Sequence, residues 1–330
     1  MTGPRPEVIR FVEAACPGAR LASIAGDASA RKFWRVYAAD GSTRVVMDYG
    51  CAFTAVPDDV RLARVFGDAG LRVADVLDVS GPAGCLLLED LGGSTLESVV
   101  SAPGGRLLSG ARQRIEHAVV LAARMATLGT PALARSERRD GPALDAARFR
   151  FEMDFFLEHY VGGLRGCGTP PASLRGALHD LADGAADTPR RVLCHRDFHS
   201  RNLMVLSAGD LAMVDIQDAR WGPDSYDLAS LLRDAYIEID DAWIDPLVDL
   251  YVASLGERPA AGLRSRLARV SAQRMLKALG TFGYQARARN APRYLEGVPR
   301  TQRRLKRLLP SIPEAQPLFS ALDRGGLLEG

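Results

Sequence analysis

The segment CHRDFHSRNLM, residues 194–204, is the part of the sequence that is most informative about the fold. It puts a carboxylate, Asp197, and a carboxamide, Asn202, five residues apart on one predicted loop. Asp215 follows thirteen residues after Asn202, at the end of the hydrophobic stretch LAMVD. Phosphoryl transfer from ATP uses such groups, because a carboxylate orients the acceptor hydroxyl and oxygen ligands hold Mg²⁺ against the phosphates. The pattern therefore indicates an ATP-dependent kinase in which Asp197 is catalytic and Asn202 and Asp215 bind the metal.

The same loop contains two histidines, His195 and His199, four residues apart. A zinc pair of the H-E-x-x-H type needs a helix and a glutamate after the first histidine, whereas Arg196 follows here on a predicted loop. We interpret His195 as a structural residue of the loop. His199 and Arg201 are candidates for contact with the substrate, although a purely structural role for His199 is equally open.

Toward the N-terminus, the pattern of the first ninety residues predicts five short strands with one helix inserted after the third strand. Asp40-Gly41 is a hairpin signal between strands two and three. The loop at residues 25–31, AGDASAR, is an ordinary hairpin or a phosphate-covering loop whose backbone N–H groups meet phosphate oxygens. In the second case its nucleotide-binding residues are Gly26, Ser29 and Arg31, and Arg31 adds a fixed positive charge.

The fifth predicted strand runs into a connector with the sequence LLLEDLGG, residues 86–93. Backbone groups at Glu89 and Leu91 are candidates for binding the adenine edge, with a plain strand end as the alternative. Downstream of this connector the pattern is mainly helical, with one strand–turn–strand at residues 203–215. We predict an α+β, bilobal, protein-kinase-like fold with a small antiparallel N-terminal lobe. Its predicted parts are a nucleotide-binding lobe (1–90), a hinge (91–94) and a catalytic and substrate lobe (95–330).

Six segments together resemble the aminoglycoside phosphotransferase family of kinases. They are GDASARKFWRV (26–36), VVMDYG (45–50), LLLEDLGGSTL (86–96), CHRDFHSRNLMVL (194–206), MVDIQDARWGPDSYDLASLLRD (213–234) and QRMLKALGTF (273–282). The resemblance is closest to the branch of anomeric sugar kinases that act on N-acetylmuramate and N-acetylglucosamine in cell-wall recycling. It implies ATP and Mg²⁺ as cofactors and the same roles for Asp197, Asn202 and Asp215. It also implies that Asp227 matches the buried aspartate that hydrogen-bonds the catalytic loop.

One departure from the wider kinase pattern concerns the lysine of strand three and its glutamate partner on the next helix. Asp48 stands where that lysine is expected, and the helix at residues 58–68 contains no glutamate. Loss of both partners is coherent, because neither charge is left unpaired. Arg31 is the first candidate for the cation that replaces the lysine, and Lys32 is the second.

The leading hypothesis is phosphorylation of the anomeric C1 hydroxyl of an amino sugar or N-acetyl sugar. A second hypothesis is a kinase of another small hydroxyl compound, such as an aminoglycoside, a choline-like alcohol or a hydroxy amino acid. Acids at residues 151–160 favour a polycationic aminoglycoside, whereas the arginines of the C-terminal region favour a carboxylated sugar. Those side chains are Glu152, Asp154, Glu158, Arg287, Arg289, Arg293 and Arg300. A third hypothesis, supported by the missing lysine–glutamate pair, is a regulatory nucleotide-binding pseudokinase.

Composition narrows the class further. The 330 residues contain 42 Lys and Arg against 40 Asp and Glu, a formal charge of +2, which argues against a broad nucleic-acid-binding surface. Five cysteines without a C-x-x-C pair argue against a disulfide scaffold or a zinc knuckle. Neither a signal sequence nor an apolar run of the roughly 20 residues needed to cross a membrane is present. We therefore expect a cytoplasmic enzyme with a small-molecule sugar substrate and no nucleic-acid or membrane partner, and the sequence leaves its oligomeric state open.

Overall fold

A computed structural model describes residues 3–24, 31–256 and 259–329. The predicted α+β class is confirmed: a five-stranded antiparallel sheet is followed by a mainly helical remainder. The chain divides into two compact units. The first consists of Met1–Ser94 with Met204–Gln217, and the second of Thr95–Leu203 with Asp218–Gly330. Residues 204–217, which the sequence analysis assigns to the C-terminal lobe, thus cluster with the N-terminal residues.

The first unit is built on the sheet, whose strand order is β1-β2-β3-β5-β4. Its elements are α1 (Pro6–Ala15), β1 (Arg20–Ile24), β2 (Lys32–Tyr37), β3 (Thr43–Asp48), α2 (Asp58–Asp68), β4 (Val76–Ser80) and β5 (Cys85–Glu89). The hairpin predicted at Asp40-Gly41 joins β2 and β3, and Gly41 has a φ of 81° that glycine adopts without strain. Val73, three residues before β4, forms a separate parallel bridge with Met213.

Strand β3 presents different side chains to its two faces, because successive residues of a strand point in opposite directions. Val46 packs with the core that includes α1, whereas Met47 packs on the other face with Val60 of α2. Asp48 shares the face of Val46, is 1% exposed, and accepts a hydrogen bond from Arg5 Nε at 3.1 Å. The strand-three lysine of kinases pairs with the following helix. The sequence places Asp48 at the position where that lysine is expected. In the structure, however, Asp48 is a buried structural carboxylate on the opposite face of the strand.

The second unit is mainly helical. Its elements are α3 (Leu96–Val100), α4 (Ala111–Arg124), α5 (Thr130–Arg135), α6 (Ala146–Phe156), α7 (Ala172–Ala186), β6 (Arg191–Cys194), β9 (Arg220–Pro223), α8 (Tyr226–Leu232), α9 (Asp241–Ser254), α10 (Leu263–Ala288), α11 (Val298–Leu308) and α12 (Gln316–Arg324). Between β6 and β9 the chain forms the short hairpin of β7 (Leu203–Val205) and β8 (Leu211–Met213), as predicted. None of the helices in the described ranges is long and apolar enough to cross a bilayer.

Helix α10 is the central element of the second unit, where it packs against α6, α7 and α8. Its apolar side chains, among them Val270, Leu276 and Leu279, are fully buried. Two cations, Arg274 and Lys277, interrupt this apolar pattern and lie three residues apart, so they share one side of the helix. The packing of α10 therefore fixes the position of two positive charges inside the second unit.

Candidate active site

The site in the second unit starts from Asp197, on the loop that follows β6. Two cations of α10 reach its carboxylate: Lys277 Nζ lies 2.9 Å and Arg274 Nη1 lies 3.3 Å from Asp197 Oδ1. Burial alone would raise the pKa of Asp197, but the charges of Lys277, Arg274 and Arg196 hold it well below its usual range. Asp197 is therefore an ionised and weakly basic carboxylate, and it is 29% exposed.

Arg274 does more than pair with Asp197. Its Nη1 also donates to the backbone carbonyl of Arg196 at 2.8 Å and to the Tyr226 hydroxyl at 3.0 Å. Arg196 has a φ of 82°, in the left-handed region that costs a residue other than glycine free energy. The contact from Arg274 thus helps to hold a strained backbone directly before Asp197.

Two buried carboxylates hold the backbone of the same loop from the other side. Asp227, in the first turn of α8, accepts the N–H groups of His195 at 2.7 Å and of Arg196 at 3.1 Å. Asp234 accepts the N–H of Ser200 at 2.7 Å. Burial raises the pKa of Asp227 to about 6, although His195 and the two N–H donors favour its ionised form. The backbone N–H groups of His195, Arg196 and Ser200 therefore tie the loop to two aspartates of the helical part of the unit.

Asn202 lies at the end of the loop and folds back on it. Its Nδ2 donates to the backbone carbonyl of Asp197 at 2.9 Å, and its own N–H donates to the His199 carbonyl at 2.9 Å. Because the nitrogen end of the amide makes this bond, the Oδ1 end is directed away from the Asp197 carbonyl. His195 is fully buried and packs edge-on against Phe198, 6.0 Å between ring centroids.

The two predicted substrate contacts, His199 and Arg201, both pack against Tyr236. The His199 ring meets Tyr236 edge-on at 5.2 Å, and burial lowers the pKa of His199, so the ring is neutral at neutral pH. The Arg201 guanidinium lies 3.7 Å from the Tyr236 ring centroid. It also donates two hydrogen bonds, at 2.6 and 3.0 Å, to the carboxylate of Glu97 on α3. Arg201 thus links α3 to the loop.

A second set of charges lies in the first unit, around Asp215. Asp215 follows β8 with a φ of 63°, and its Oδ1 accepts from Arg31 Nη2 and from Gln217 Nε2, each at 2.9 Å. Arg31 Nη1 donates to Asp59 Oδ1 at 2.8 Å, and the Tyr49 hydroxyl donates to Asp59 Oδ2 at 2.5 Å. Burial raises the pKa of Asp59 against the opposing charge of Arg31. Arg31 therefore bridges an aspartate of α2 and the aspartate after β8.

Helix α2 therefore contributes a carboxylate that pairs with a cation, although it contains no glutamate. This carboxylate is Asp59, the second residue of the helix, which the sequence-based prediction did not include. The pair is displaced rather than lost: its cation comes from residue 31, ahead of β2, instead of from β3. A shorter acid combined with a cation from another segment gives no fixed spacing for a sequence search to find.

The donor types at the predicted metal ligands suit a hard divalent cation. Asp215 supplies a carboxylate oxygen and Asn202 a carboxamide oxygen, and Mg²⁺ prefers such ligands. The Arg31 guanidinium lies 2.9 Å from Asp215 Oδ1, so this oxygen already has a cationic partner. Within the described ranges no cluster of three or more His, Cys, Asp or Glu residues forms a ready-made metal site. Magnesium sites of kinases use only one or two carboxylates and complete the shell with phosphates and water, so the residues present fit Mg²⁺.

The remaining predicted nucleotide contacts are less defined. Gly26 and Ser29 lie outside the described residues. Glu89 ends β5; its carboxylate accepts from Arg72 and its N–H donates to the Asp75 carbonyl at 2.9 Å. The N–H of Glu89 is therefore used within the first unit. Leu91 is half-buried and follows the last paired residue of the strand.

The sequence analysis overlooked Arg274 and Lys277, the two cations on Asp197. The segment that contains them, QRMLKALGTF at residues 273–282, was noted only as part of the resemblance. The available signal was the pair of cations three residues apart beside the apolar residues Met275, Leu276 and Leu279, because a helix that buries these residues has to compensate the two charges inside the fold.

A comparison with known proteins places this geometry in context. A model described as the phosphotransferase enzyme family matches residues 20–263. N-acetylmuramate/N-acetylglucosamine kinase of Pseudomonas aeruginosa is 30% identical over 325 residues, which cover 94% of this chain and 90% of that protein. The protein of the same name from Neisseria meningitidis serogroup B is 29% identical over 320 residues, with coverages of 92% and 89%. The structure of a spectinomycin phosphotransferase in complex with ADP and spectinomycin has the same fold, with a TM-score of 0.60 at 11% sequence identity. The superposition covers 97% of this chain and 99% of the spectinomycin phosphotransferase chain.

Proposed function

Because this chain belongs to the phosphotransferase enzyme family, we propose that it transfers the γ-phosphoryl group of ATP to the anomeric C1 hydroxyl of an N-acetylated amino sugar. The sugar class is drawn from relatives named N-acetylmuramate/N-acetylglucosamine kinase, which align with more than nine tenths of this chain. The position on the sugar is drawn from the chemistry around Asp197. Together these observations favour an N-acetylmuramate- or N-acetylglucosamine-type acceptor.

The observation that carries the C1 assignment is the pair of cations on the Asp197 carboxylate. They lower its basicity, so it is poorly suited to take a proton from an ordinary alcohol. The hydroxyl of a free sugar at C1 is more acidic than its other hydroxyls. A weakly basic carboxylate that orients this hydroxyl is therefore sufficient, with positioning and electrostatics supplying most of the rate enhancement.

In this proposal the remaining residues hold the reacting groups. Asn202 and Asp215 would provide oxygen ligands for Mg²⁺, which when bound neutralises charge on the nucleotide phosphates. Arg31, anchored by Asp59, is the proposed cation for the α- and β-phosphates, and Lys32 is the second candidate. Asp227 and His195 support the loop that presents Asp197.

Glu152 and Arg300, which the sequence suggested as contacts of the acceptor, are both held by other residues of the fold. Glu152, one of the acids that favoured an aminoglycoside, is 3% exposed and accepts from Gln273 Nε2 at 2.8 Å. Arg300, one of the arginines that favoured a carboxylated sugar, is 8% exposed and donates to the Ala235 carbonyl at 2.6 Å. Both side chains are therefore engaged inside the fold, and neither supports an assignment of the acceptor.

The test is incubation of the protein with Mg·ATP and either N-acetylglucosamine or N-acetylmuramate, followed by an assay of the reducing end. Phosphorylation at C1 blocks the reducing end, whereas phosphorylation at another hydroxyl leaves it free. We expect consumption of ATP with loss of reducing sugar in a one-to-one ratio. A product that still reduces would contradict the C1 assignment, and turnover only with an aminoglycoside or a choline-like alcohol would contradict the sugar. ATP binding without turnover of any acceptor would favour the pseudokinase.

A further inference from the structure

Lys277 is half-buried beside the Asp197 carboxylate, and two of its three ammonium donors have no hydrogen-bond partner in the described part of the chain. An ammonium has three donors. One goes to Asp197 Oδ1 at 2.9 Å, and within the part of the chain that the structure describes Lys277 Nζ makes no second hydrogen bond. The side chain is 14% exposed, and burial lowers the pKa of Lys277 against the charge of Asp197. A desolvated ammonium with two unused donors is costly unless a further acceptor completes it.

The neighbouring cation, Arg274, is in a different position. Its Nη1 donates to the Arg196 carbonyl, the Tyr226 hydroxyl and Asp197 and so holds the loop, whereas its Nε is buried without a hydrogen-bond partner in the described part of the chain. The ion pairs within the described ranges give Lys277 and Arg274 a single carboxylate at contact distance, that of Asp197. At contact distance two positive charges therefore face the one negative charge of Asp197, and this group of three side chains has a net charge of +1, which favours an anion there.

The short distance from Lys277 to Asp197 indicates that this anion is the phosphoryl group that is transferred. A hydroxyl that donates to a carboxylate oxygen lies about 2.7 Å from it. A phosphoryl group approaching that hydroxyl in line is then within the reach of Lys277, whose four-carbon side chain is flexible. The carboxylate of an N-acetylmuramate-type sugar, by contrast, is borne by the substituent at C3 and lies across the ring from C1. The unused donors of Lys277 thus lie beside the reaction centre and not beside the distal part of the acceptor.

We propose that Lys277 is a catalytic residue that donates to an equatorial oxygen of the phosphoryl group during transfer. The inference rests on the proposed role of Asp197 at the acceptor hydroxyl. In this step the acceptor oxygen bonds to the γ-phosphorus while the bond from that phosphorus to the β–γ bridging oxygen breaks. ADP keeps the electron pair of the broken bond, and the hydroxyl proton passes to Asp197. Lys277 stays protonated throughout and stabilises the negative charge of the equatorial oxygens.

The experiment compares Lys277→Met, Lys277→Gln and Lys277→Arg with Lys306→Met as the matched control. Lys306 is half-exposed on α11 and pairs with Asp323 at 3.0 Å. Steady-state rates are measured with N-acetylglucosamine and with N-acetylmuramate. Calorimetry measures the affinities for Mg·ADP and for a non-hydrolysable Mg·ATP analogue.

If Lys277 binds the transferred group, kcat of the Met and Gln variants falls about 10²–10³-fold with both sugars, as for loss of one oxyanion donor. The KM values for both sugars stay within about threefold of wild type, because the lost interaction is made to the phosphoryl group and not to the sugar. Affinity for the ATP analogue decreases while affinity for ADP is unchanged. Lys277→Arg regains part of the rate, and Lys306→Met behaves as wild type.

Three outcomes would overturn the proposal: an unchanged kcat, a rise in KM confined to the carboxylated sugar, or an equal loss of affinity for ADP and the ATP analogue. The second would show that Lys277 recognises the acceptor, and the third that it acts only on the fold. If Lys277→Met does not fold, loss of ADP binding reveals it and the Gln and Arg variants carry the test. If the wild-type protein phosphorylates neither sugar, the proposed function fails, while the two nucleotide affinities still test Lys277 independently.

Discussion

Asp197 shares its negative charge with two cations of α10, and this decides what its carboxylate can do. A carboxylate whose pKa is held well below its usual range stays ionised at neutral pH. Substitution Asp197→Asn removes both the acceptor for the hydroxyl proton and the counterion of Lys277. We expect kcat to fall by about 10²–10⁴-fold, the range typical of positioned acid–base groups, with nucleotide affinity retained. Steady-state kinetics and calorimetry check this, and a near-wild-type kcat would remove Asp197 from the reaction.

Asp227 predicts a pH dependence of stability. Burial raises its pKa to about 6 in the folded protein, from 3.8 when exposed, so the folded state holds this proton more tightly. The stabilisation from protonation is therefore fully present below pH about 4 and is lost as the pH rises through about 6. For this nearly buried group the shift corresponds to about 3 kcal/mol.

The matching experiment compares wild type with Asp227→Asn, which carries no charge at any pH. Urea unfolding at pH 4.5 and 7.5 gives the free energy of unfolding of both proteins. We expect the advantage of wild type over the variant to be larger at pH 4.5 by about 2 kcal/mol. An advantage that does not change with pH would mean that the pKa of Asp227 is not raised by folding.

At the scale of elements, β3 and α2 show how one ion pair is replaced by another. The face of β3 that carries Met47 packs on α2 and supplies no cation, because Asp48 points to the other face. The cation comes from Arg31 ahead of β2, and the anion from Asp59 in the first turn of α2. Asp59 is in turn fixed by the hydroxyl of Tyr49, the residue that follows β3. Helix α2 and β3 thus both contribute to holding Arg31, although neither carries the expected charged residue.

This arrangement predicts that Asp59→Asn weakens binding of Mg·ATP. Without Asp59, Arg31 remains on Asp215 and competes with the metal for that oxygen, so we expect the dissociation constant to rise about tenfold, as for loss of a hydrogen bond to a charged group. The matched control is Asp58→Asn, one residue earlier on the same helix, where the carboxylate is 38% exposed and only 3.9 Å from Arg61. Calorimetry with Mg·ATP and metal-free ATP measures both. Equal effects of the two substitutions would contradict a specific role for Asp59.

How far these elements could be predicted follows from the range of the interactions that form them. The hairpin of β2 and β3 depends on a local turn signal, and the loop from His195 to Asn202 has a fixed spacing, so both are visible in the sequence. The contact between Lys277 and Asp197 joins residues 80 positions apart, and the packing of α10 alone brings them together. The strained backbone of Arg196 is equally hidden, because arginine at that position carries no sign of a positive φ. A contact that only tertiary packing forms has no characteristic spacing in the sequence, so it cannot be predicted from the sequence pattern.

At the scale of the whole molecule, the chain passes between its two compact units at three places: after Ser94, after Leu203 and after Gln217. The first unit is therefore assembled from two segments that are far apart in sequence. The second segment binds the first through specific backbone contacts: Val205 N–H donates to the Ser94 carbonyl at 2.8 Å, and Met213 N–H to the Arg72 carbonyl at 2.9 Å. Asp215, which Arg31 binds, arrives with the same segment.

This interrupted order has a consequence for synthesis on the ribosome. All strands of the first sheet have been translated by residue 89, yet the unit lacks its last partner until residue 217 has left the ribosome. Domains generally fold as units in the order in which they emerge. Here the N-terminal part must wait, incomplete, while more than a hundred residues of the other unit are added. During this interval Asp59 has been made and Asp215 has not, so the ion pair between Arg31 and Asp215 can form only after the second segment has been translated.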